Sequence, residues 1–299
     1  MKTITVFTPA FNRAHTIWRT YDSLCRQTSK DFEWLVVDDG SSDNTKDLVN
    51  RWIADNIIPI RYIYQENQGM HGAHNTALEN INTELNVCID SDDWMPDDAI
   101  ETIVNFWGKI KDKNYAGIIG LDVTNDGTII GTEFPDGLIE STLSDFYNKG
   151  GQGDKKVVLS TSIARNYPKY PRFDGEKYFS LGYKFHLIDK DYKFAIINKP
   201  LAIVDYQPDG SSMNMWRQYW NNPQGFMFLR KEYMRLYRSP SIRIRSCIHY
   251  ISHCIRAKKK NEFFNNPCPL LSFFCVPFGI ILYFQTKKKV HQKKKMVIR

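Results

Sequence analysis

Asn86-Val87-Cys88-Ile89-Asp90-Ser91-Asp92-Asp93-Trp94 is the stretch from which the fold is read. The apolar run Leu85 to Ile89 has the composition of a buried strand, and it ends abruptly in carboxylates. Keeping Asp90, Ser91 and Asp92 inside the sheet would bury charge, so they belong just past the strand's end. Pro96 suits a first helical position, and Asp97 and Asp98 suit a first helical turn. The acids therefore occupy a strand-to-helix turn, and in an open α/β sheet ligands bind in the crevice outside such strand ends. Two carboxylates one residue apart can share a hard divalent cation, which can in turn hold a diphosphate. An isolated Asp-x-Asp is more often a solvated acidic turn, so its neighbours carry the weight.

The chain of 299 residues is 42% hydrophobic, enough to bury a full core in one large domain or two smaller ones. Its net charge of +7 is unevenly spread: from Ser239 onward there are 13 Lys+Arg and a single acid, Glu262, which leaves the first 238 residues with 27 basic and 32 acidic side chains. A mildly acidic body argues against a nucleic-acid partner. The six cysteines form no CxxC pair, which reads as reduced thiols in a cytosolic setting, and MKTITVFTPA lacks the apolar core of a signal peptide.

Strands alternate with helices along the first third. Thr3 to Thr8, Glu33 to Val37, Ile60 to Tyr64 and Leu85 to Ile89 read as strands. Helices are expected from about Ala14 to Gln27, over Leu48 to Ile53, after Gly72, and from Ala99 to Lys111. This alternation means a mostly parallel sheet, in which the polar clusters ending the strands converge along one edge. Thr8 and Pro9 then turn the chain at one such strand end. Asp38 and Asp39 offer acceptors for a ligand's N–H or hydroxyl groups. Gly69 and Gly72 permit close backbone approach where a helix N-terminus favours an anion. His71 and Asn75 are either nucleotide contacts or structural groups.

Thr8-Pro9-Ala10-Phe11-Asn12-Arg13-Ala14, Val36-Val37-Asp38-Asp39-Gly40-Ser41-Ser42-Asp43, Glu66 to Asn75 and Cys88 to Trp94 together resemble the family 2 glycosyltransferases, in order and in spacing. The clear resemblance covers about Thr3 to Asp98, with a weaker echo from Phe173 to Ser212. It implies the GT-A fold, an α/β architecture with a mostly parallel central sheet and flanking helices. It also implies inverting transfer from a nucleotide-diphosphate sugar donor, with UDP favoured. By resemblance Asp39 meets the base, Asp90 the ribose or sugar, and Asp92 with Asp90 the metal, Mg²⁺ or Mn²⁺. Thr8, Pro9, Phe11, Arg13, Asp38, Gly69, His71, Asn75 and Ser91 complete the expected nucleotide-sugar site.

Residues 99–212 are expected to form the acceptor half of a domain spanning residues 1–212, with residues 1–98 the donor half. Its expected elements are strands Ala116 to Val123 and Thr128 to Phe134 around a turn at Asn125-Asp126-Gly127, a helix from Glu140 to Asn148, and a strand from Val157 to Ile163. A helix after Phe179 and strands Tyr192 to Ile197 and Leu201 to Val204 complete it. An inverting transferase needs a carboxylate to take the acceptor's proton. Where the family supplies it, this chain has Leu181, which leaves Glu176 and, less well placed, Asp191 as candidates. Asp205 to Ser212 resembles the loop that closes over the diphosphate, but without the histidine some relatives carry there.

Residues 213–260 read as a helical extension, and residues 261–299 as an apolar and polybasic tail. Leu270 to Phe284 is an uncharged run of 15 residues broken by Pro277, short for a spanning helix and suited to lying in a membrane plane. The last 15 residues carry seven Lys+Arg and no acid, as expected beside an anionic cytoplasmic membrane surface. The expectation is a cytoplasmic transferase peripherally or monotopically held on the inner membrane face, acting on a glycan or lipid-linked acceptor in surface polysaccharide synthesis. A non-catalytic sugar-nucleotide sensor or scaffold is the rival that Leu181 keeps open. A nucleotidyltransferase is disfavoured because Thr8 to Ala14 has one Arg and no Gly for a triphosphate.

Overall fold

The computed structural model describes residues 2–206 and 214–297, with side chains as far as residue 292. The chain divides into two compact units: one comprises Met1–Tyr170 and Lys184–Tyr206, the other Pro171–Tyr183 and Gln207–Arg299.

The first unit is a sheet in the order β3-β2-β1-β4-β7-β5-β8-β6. β1 (Ile4–Ala10), β2 (Phe32–Asp38), β3 (Ile60–Tyr64) and β4 (Leu85–Cys88) are mutually parallel. β7 (Lys155–Ser160) runs antiparallel between β4 and β5 (Gly117–Val123), so β5 points the same way as β4. β8 (Phe194–Ile203) is parallel to β5, and β6 (Glu140–Ser141) closes the edge. The chain first winds outward from β1 to β2 and β3, then crosses back to β4 on the other side. The order therefore reverses between β1 and β4, where an open α/β sheet leaves a crevice. Pairing of these two strands stops at Phe7 and Cys88, whereas β1 and β2 stay paired to Ala10 and Asp38.

Helices α1 (Trp18–Arg26), α2 (Thr45–Asp55), α3 (Met70–Asn80) and α4 (Ala99–Ile110) connect these strands. The main core lies between sheet and helices and includes Tyr21, Trp34, Trp52, Val87 and Ile100. Tyr21 stacks on Trp52 with centroids 4.2 Å apart, and Trp34 Nε1 donates to Thr8 Oγ1 at 2.9 Å.

Several expected boundaries move, each for a local reason. β1 runs on to Ala10, so Thr8 and Pro9 sit within a strand rather than turning the chain. Proline is tolerated there because β4 no longer pairs alongside it. α1 starts at Trp18 because the N–H groups of Asn12, Arg13 and Ala14 are taken by Ser41, Thr45 and Asp43. Thr128 to Phe134 is not a strand. It makes one bridge, Ile129 to Val123, before Gly131 turns at φ +79 and breaks the extended path. The helix expected from Glu140 begins at Leu143, because Glu140–Ser141 joins β8 and Thr142 Oγ1 caps α5 (Leu143–Asn148) through Asp145 N–H. β7 gives way at Thr161 to α6 (Thr161–Asn166), and the next helix, α7 (Gly182–Ile188), starts later than expected. The two strands expected on either side of Asn198 are one, β8, with a register shift where Pro200 faces Leu121.

The second unit is helical: α8 (Met215–Asn221), α9 (Pro223–Leu236), α10 (Pro240–Arg256) and α11 (Pro269–Val297). Its core holds Met227, Met234, Cys247, Tyr250, Ile251, Cys254 and Cys275. α11 corrects the expectation of a short apolar segment: it is one helix of 29 residues with Pro277 inside it. Its 24-residue stretch Pro269–Gln292 is long and apolar enough to cross a membrane.

His74, buried on α3, lies with Nε2 3.5 Å from Cys88 Sγ and meets the Phe7 ring edge-on. Burial lowers its pKa to about 4, against the opposing charge of Asp90. The unfolded chain then binds a proton between about pH 6.5 and 4 that the folded chain refuses, so stability is full above that window and falls as pH drops through it. Replacing His74 by Gln should flatten the fall of melting temperature across these pH values, removing up to about 3 kcal/mol of pH-dependent stability. An unchanged slope would contradict the assignment.

Candidate functional site

The C-terminal ends of β1, β2, β4, β5 and β8, and the start of antiparallel β7, all lie on one edge of the sheet. This topology gathers Asp38 and Asp39, Asp90 to Asp93, Asp122, Lys156 and Asp205 from distant parts of the sequence. The acid-rich turn is clipped in place by Trp94, whose N–H donates to Ile203 O at 3.1 Å and whose carbonyl accepts from Ile203 N–H at 2.7 Å. Asp205 N–H donates to Asp93 Oδ1 at 3.1 Å, and the Asp205 carboxylate pairs with Arg19 at 2.6 Å.

Charge within this edge is tightly balanced. Lys156 lies 3.7 Å from Asp122; Asp122 is buried and the Lys156 side chain is 13% exposed. Burial alone would discharge Lys156, but Asp122, Asp93 and Asp90 outweigh it and hold the ammonium above its ordinary range. Asp93 is pushed above the carboxylate range by burial, against Lys156, with Asp90 and Asp92 adding to the push. Asp92 is raised by burial and by the charge of Asp90, with Arg13 opposing. Asp92 is half-buried, and among the described residues no other residue donates to its carboxylate.

Two hard carboxylates in mutual repulsion, one of them unengaged, suit a divalent cation, which would relieve that repulsion. Among the described residues no group of three or more His, Cys, Asp or Glu side chains is arranged to hold a metal. The protein would therefore supply Asp90 and Asp92, and water and phosphate oxygens the rest, as Mg²⁺ sites commonly require.

The other expected site residues divide into frame and face. Asp38 is buried frame: it accepts from Ser41 N–H at 2.8 Å and Tyr62 Oη at 2.6 Å, which closes the turn after β2. Asp39 accepts from Gln65 Nε2, Gln68 N–H and Gly69 N–H at 2.6 to 2.8 Å, and so holds the loop ahead of α3. Gly69, at φ +81, begins α3 in a conformation that favours glycine. Asn75 is engaged within the protein: its amide clamps Tyr170 at both N–H and carbonyl, at 2.8 and 2.9 Å. Thr8 supports Trp34 from within the core, and Pro9, His71 and Ser91 are buried. Phe11 stands exposed at the end of β1, with Arg13 half-buried beside it.

Neither candidate base meets the expectation simply. Asp191 precedes β8 and so lies at the opposite edge of the sheet, where it accepts from Tyr167 Oη at 2.6 Å. A strand of ten residues separates it from the acid edge, on the order of 30 Å. Glu176 belongs to the second unit and accepts from Gln224 N–H at 2.7 Å and Gly225 N–H at 2.8 Å, at the start of α9. Those are donors that a helix N-terminus cannot satisfy internally. Asn222 locks the same junction by accepting from Lys177 and Tyr178 N–H. Residues 207–212, expected to cover a diphosphate, lie outside the described residues. Sequence reasoning did not find Lys156, Asp93, Asp122 and Arg19. Only a lysine pair opening a β-branched strand hinted at Lys156.

Residues 5–182 match the family model described as glycosyl transferase family 2. The chain belongs to that family. Among curated relatives, glycosyltransferase GlyA of Streptococcus pneumoniae is 29% identical over 230 residues, covering 73% of this chain but 32% of GlyA. The chain thus spans about a third of that relative's length. The Escherichia coli UDP-Glc:alpha-D-GlcNAc-diphosphoundecaprenol beta-1,3-glucosyltransferase WfgD is 27% identical over 212 residues, 71% of this chain and 79% of WfgD. Among solved structures, S. aureus TarS residues 1–349 in complex with UDP-GlcNAc aligns with a TM-score of 0.62 at 16% identity, covering 98% of this chain and 92% of that one. The fold of this family 2 chain is GT-A, with a helical C-terminal extension ending in an apolar helix.

The contacts of Glu176 give a direct test of its role. If it serves α9, Glu176→Ala should cost about 1–2 kcal/mol, seen as a lower melting temperature. Glu176→Gln, which keeps one acceptor, should lie between. A Gln variant that melts like the parent but transfers sugar about 10²–10⁴ times more slowly would instead identify the base.

Proposed function

We propose that the chain transfers a sugar from a nucleotide-diphosphate donor, a UDP-sugar, to a glycan or lipid-linked acceptor with inversion, in surface polysaccharide synthesis. The observation that carries this is the unengaged Asp92 beside Asp90 at the point where the sheet order reverses. Mg²⁺ or Mn²⁺ held there would neutralise the departing diphosphate. Phe11 offers an exposed face for the base, and Asp39 orders the loop beside it. Gly69, and His71 in the first turn of α3, lie where an anion is favoured. Arg13 supplies positive charge next to Asp92. In the transfer an acceptor hydroxyl oxygen bonds to the anomeric carbon as the bond to the diphosphate breaks, and a carboxylate takes the hydroxyl proton. The UDP-sugar bound in the TarS structure and the diphosphoundecaprenol acceptor in the name of WfgD support this donor and acceptor class.

Slow hydrolysis of a UDP-sugar without acceptor should be detectable with Mn²⁺ present. Its absence, with binding retained, would favour a sensor. Asp92→Asn should abolish metal-dependent UDP binding and turnover without lowering the melting temperature, since it removes a repelled charge. Normal turnover in that variant would sink the metal assignment.

A membrane surface completes the proposal. Leu270, Phe273, Phe274, Phe278, Ile281 and Phe284 lie along one stripe of α11 and are all exposed. The opposite stripe packs in the bundle: Ser272 and Cys275 are buried, and a side chain at Gly279 would meet Ile251 at 2.6 Å. Further along, Tyr283 stacks on Trp220 and Lys289 lies over Trp216. α8 and α10 carry arginines, so α11 cannot cross a bilayer without taking them with it; it lies along the surface instead. Changing Phe273, Phe274 and Phe278 together to Ser should release the protein from anionic vesicles at any salt. Changing Lys287, Lys288 and Lys289 to Gln should weaken binding at low salt only, by about 1 kcal/mol per charge. Vesicle flotation reads both, and full-length protein that ignores vesicles would refute the anchor.

A further inference from the structure

α10 has two working faces. Cys247, Ile251 and Cys254 enter the bundle core. Arg245, His249 and His253, spaced four apart, form a separate row along the helix. Arg230 of α9 meets this row: its charge acts on both histidines, and that of Arg245 acts on Arg230 and His249. Arg230 is 8% exposed and His253 4%. Arg230 Nε and His253 Nε2 are buried without a hydrogen-bond partner. The surroundings are aromatic. Phe226 stacks on His253 at 5.2 Å, Tyr219 lies 5.8 Å from His249, and Arg230 Cζ is 5.7 Å from the Tyr233 ring centre.

No Asp or Glu is among the groups that set the charge of Arg230, His249 or His253, and among the described residues no carboxylate pairs with Arg230. A buried guanidinium without a counter-ion is costly, and aromatic faces recover only part of that cost. Burial, together with the nearby guanidinium charges, lowers His249 to about 3 and keeps both imidazoles neutral. Neutral imidazoles still donate one N–H each. Four basic side chains thus converge on one place with directed donors left over and no acid to receive them.

We propose that Arg230, Arg245, His249 and His253 form a binding site for a phosphate or diphosphate group in the second unit. Phosphate oxygens suit the guanidinium fork, and a dianion supplies the counter-charge the fold omits. The same bundle carries the exposed apolar stripe of α11, so the phosphate is one borne by a lipid: the diphosphate of a lipid-linked acceptor, or a phospholipid headgroup. Only the acceptor source rests on the transferase reading.

The test uses the full chain in detergent, free of divalent metal, titrated with inorganic pyrophosphate at constant ionic strength. The imidazole NMR signals of His249 and His253, assigned with the two His→Gln variants, should shift saturably. Arg230→Gln should weaken binding at least about tenfold, with Arg230→Lys intermediate. Arg245→Gln, on an exposed side chain that leaves the core intact, should weaken it by about threefold or more. Signals that stay still, or that move equally in both Gln variants, would overturn the site. Displacement by farnesyl diphosphate would assign the site to the acceptor, and displacement by phosphatidylglycerol nanodiscs to the membrane. Displacement by neither would refute a lipid-borne ligand. Failure of UDP-sugar hydrolysis would sink the transferase proposal and leave this readout untouched.

Discussion

Lys156 is the largely enclosed charge around which the acid edge is assembled. Burial would drive the proton off an ammonium so placed, and the carboxylates beside it hold that proton on, while burial pushes Asp93 and Asp122 themselves upward. The pairing is possible because β7 runs against its neighbours, so its first residues land where β4 and β5 end. Removing either side would leave an uncompensated charge in the interior, which is far more damaging than exchanging the pair for apolar groups. Lys156 thereby lets Asp93 and Asp122 stay within the protein, while Asp90 and Asp92 are left at the rim.

Acids at strand ends have two uses that look alike in a sequence. Backbone N–H groups lose their partners where strands stop, and a nearby carboxylate or amide can satisfy them. Asp38, Asp39 and Asn75 are spent in this way. Asp92 is not. The difference lies in where the surrounding N–H groups point, and that depends on how the loops after β1, β2 and β3 cross one another. The loops after β1 and β2 are bound together through Asn12, Ser41, Asp43 and Thr45, and the loop after β3 is tied to them through Asp39. Such cross-links hold the rim in one arrangement before any ligand arrives.

The helical unit follows a different economy. Its core is small and rich in Cys and Met, and its junctions are fixed by polar groups such as Glu176 and Asn222 reaching backbone N–H groups. It leaves two features unsatisfied by its own atoms, an apolar stripe on α11 and a basic cluster between α9 and α10. Both sit on helices whose other faces are packed, so neither results from loose folding.

The sequence alone determined the alternation of strands and helices, the place of the acid turn, and the family. Each depends on local pattern: β-branched runs, period-3.6 stripes, and polar clusters at fixed spacing along the chain. It also showed the basic, apolar character of the C-terminal fifth. It could not show which acids act as frame and which face outward, because that depends on hydrogen bonds between residues 24 to 95 apart in the chain. Asp191 and Asp205 are both acids flanking β8, yet strand direction puts them on opposite edges. Lys156 and Arg230 read as ordinary surface charges until tertiary packing encloses the first among carboxylates and buries the second among aromatic rings and histidines. Proline at 277 and a short apolar run suggested a broken segment, but packing against α10 and α8 supports one continuous α11. Local chemistry wrote the elements; direction, burial and pairing across the chain decided what each charged side chain is there to do.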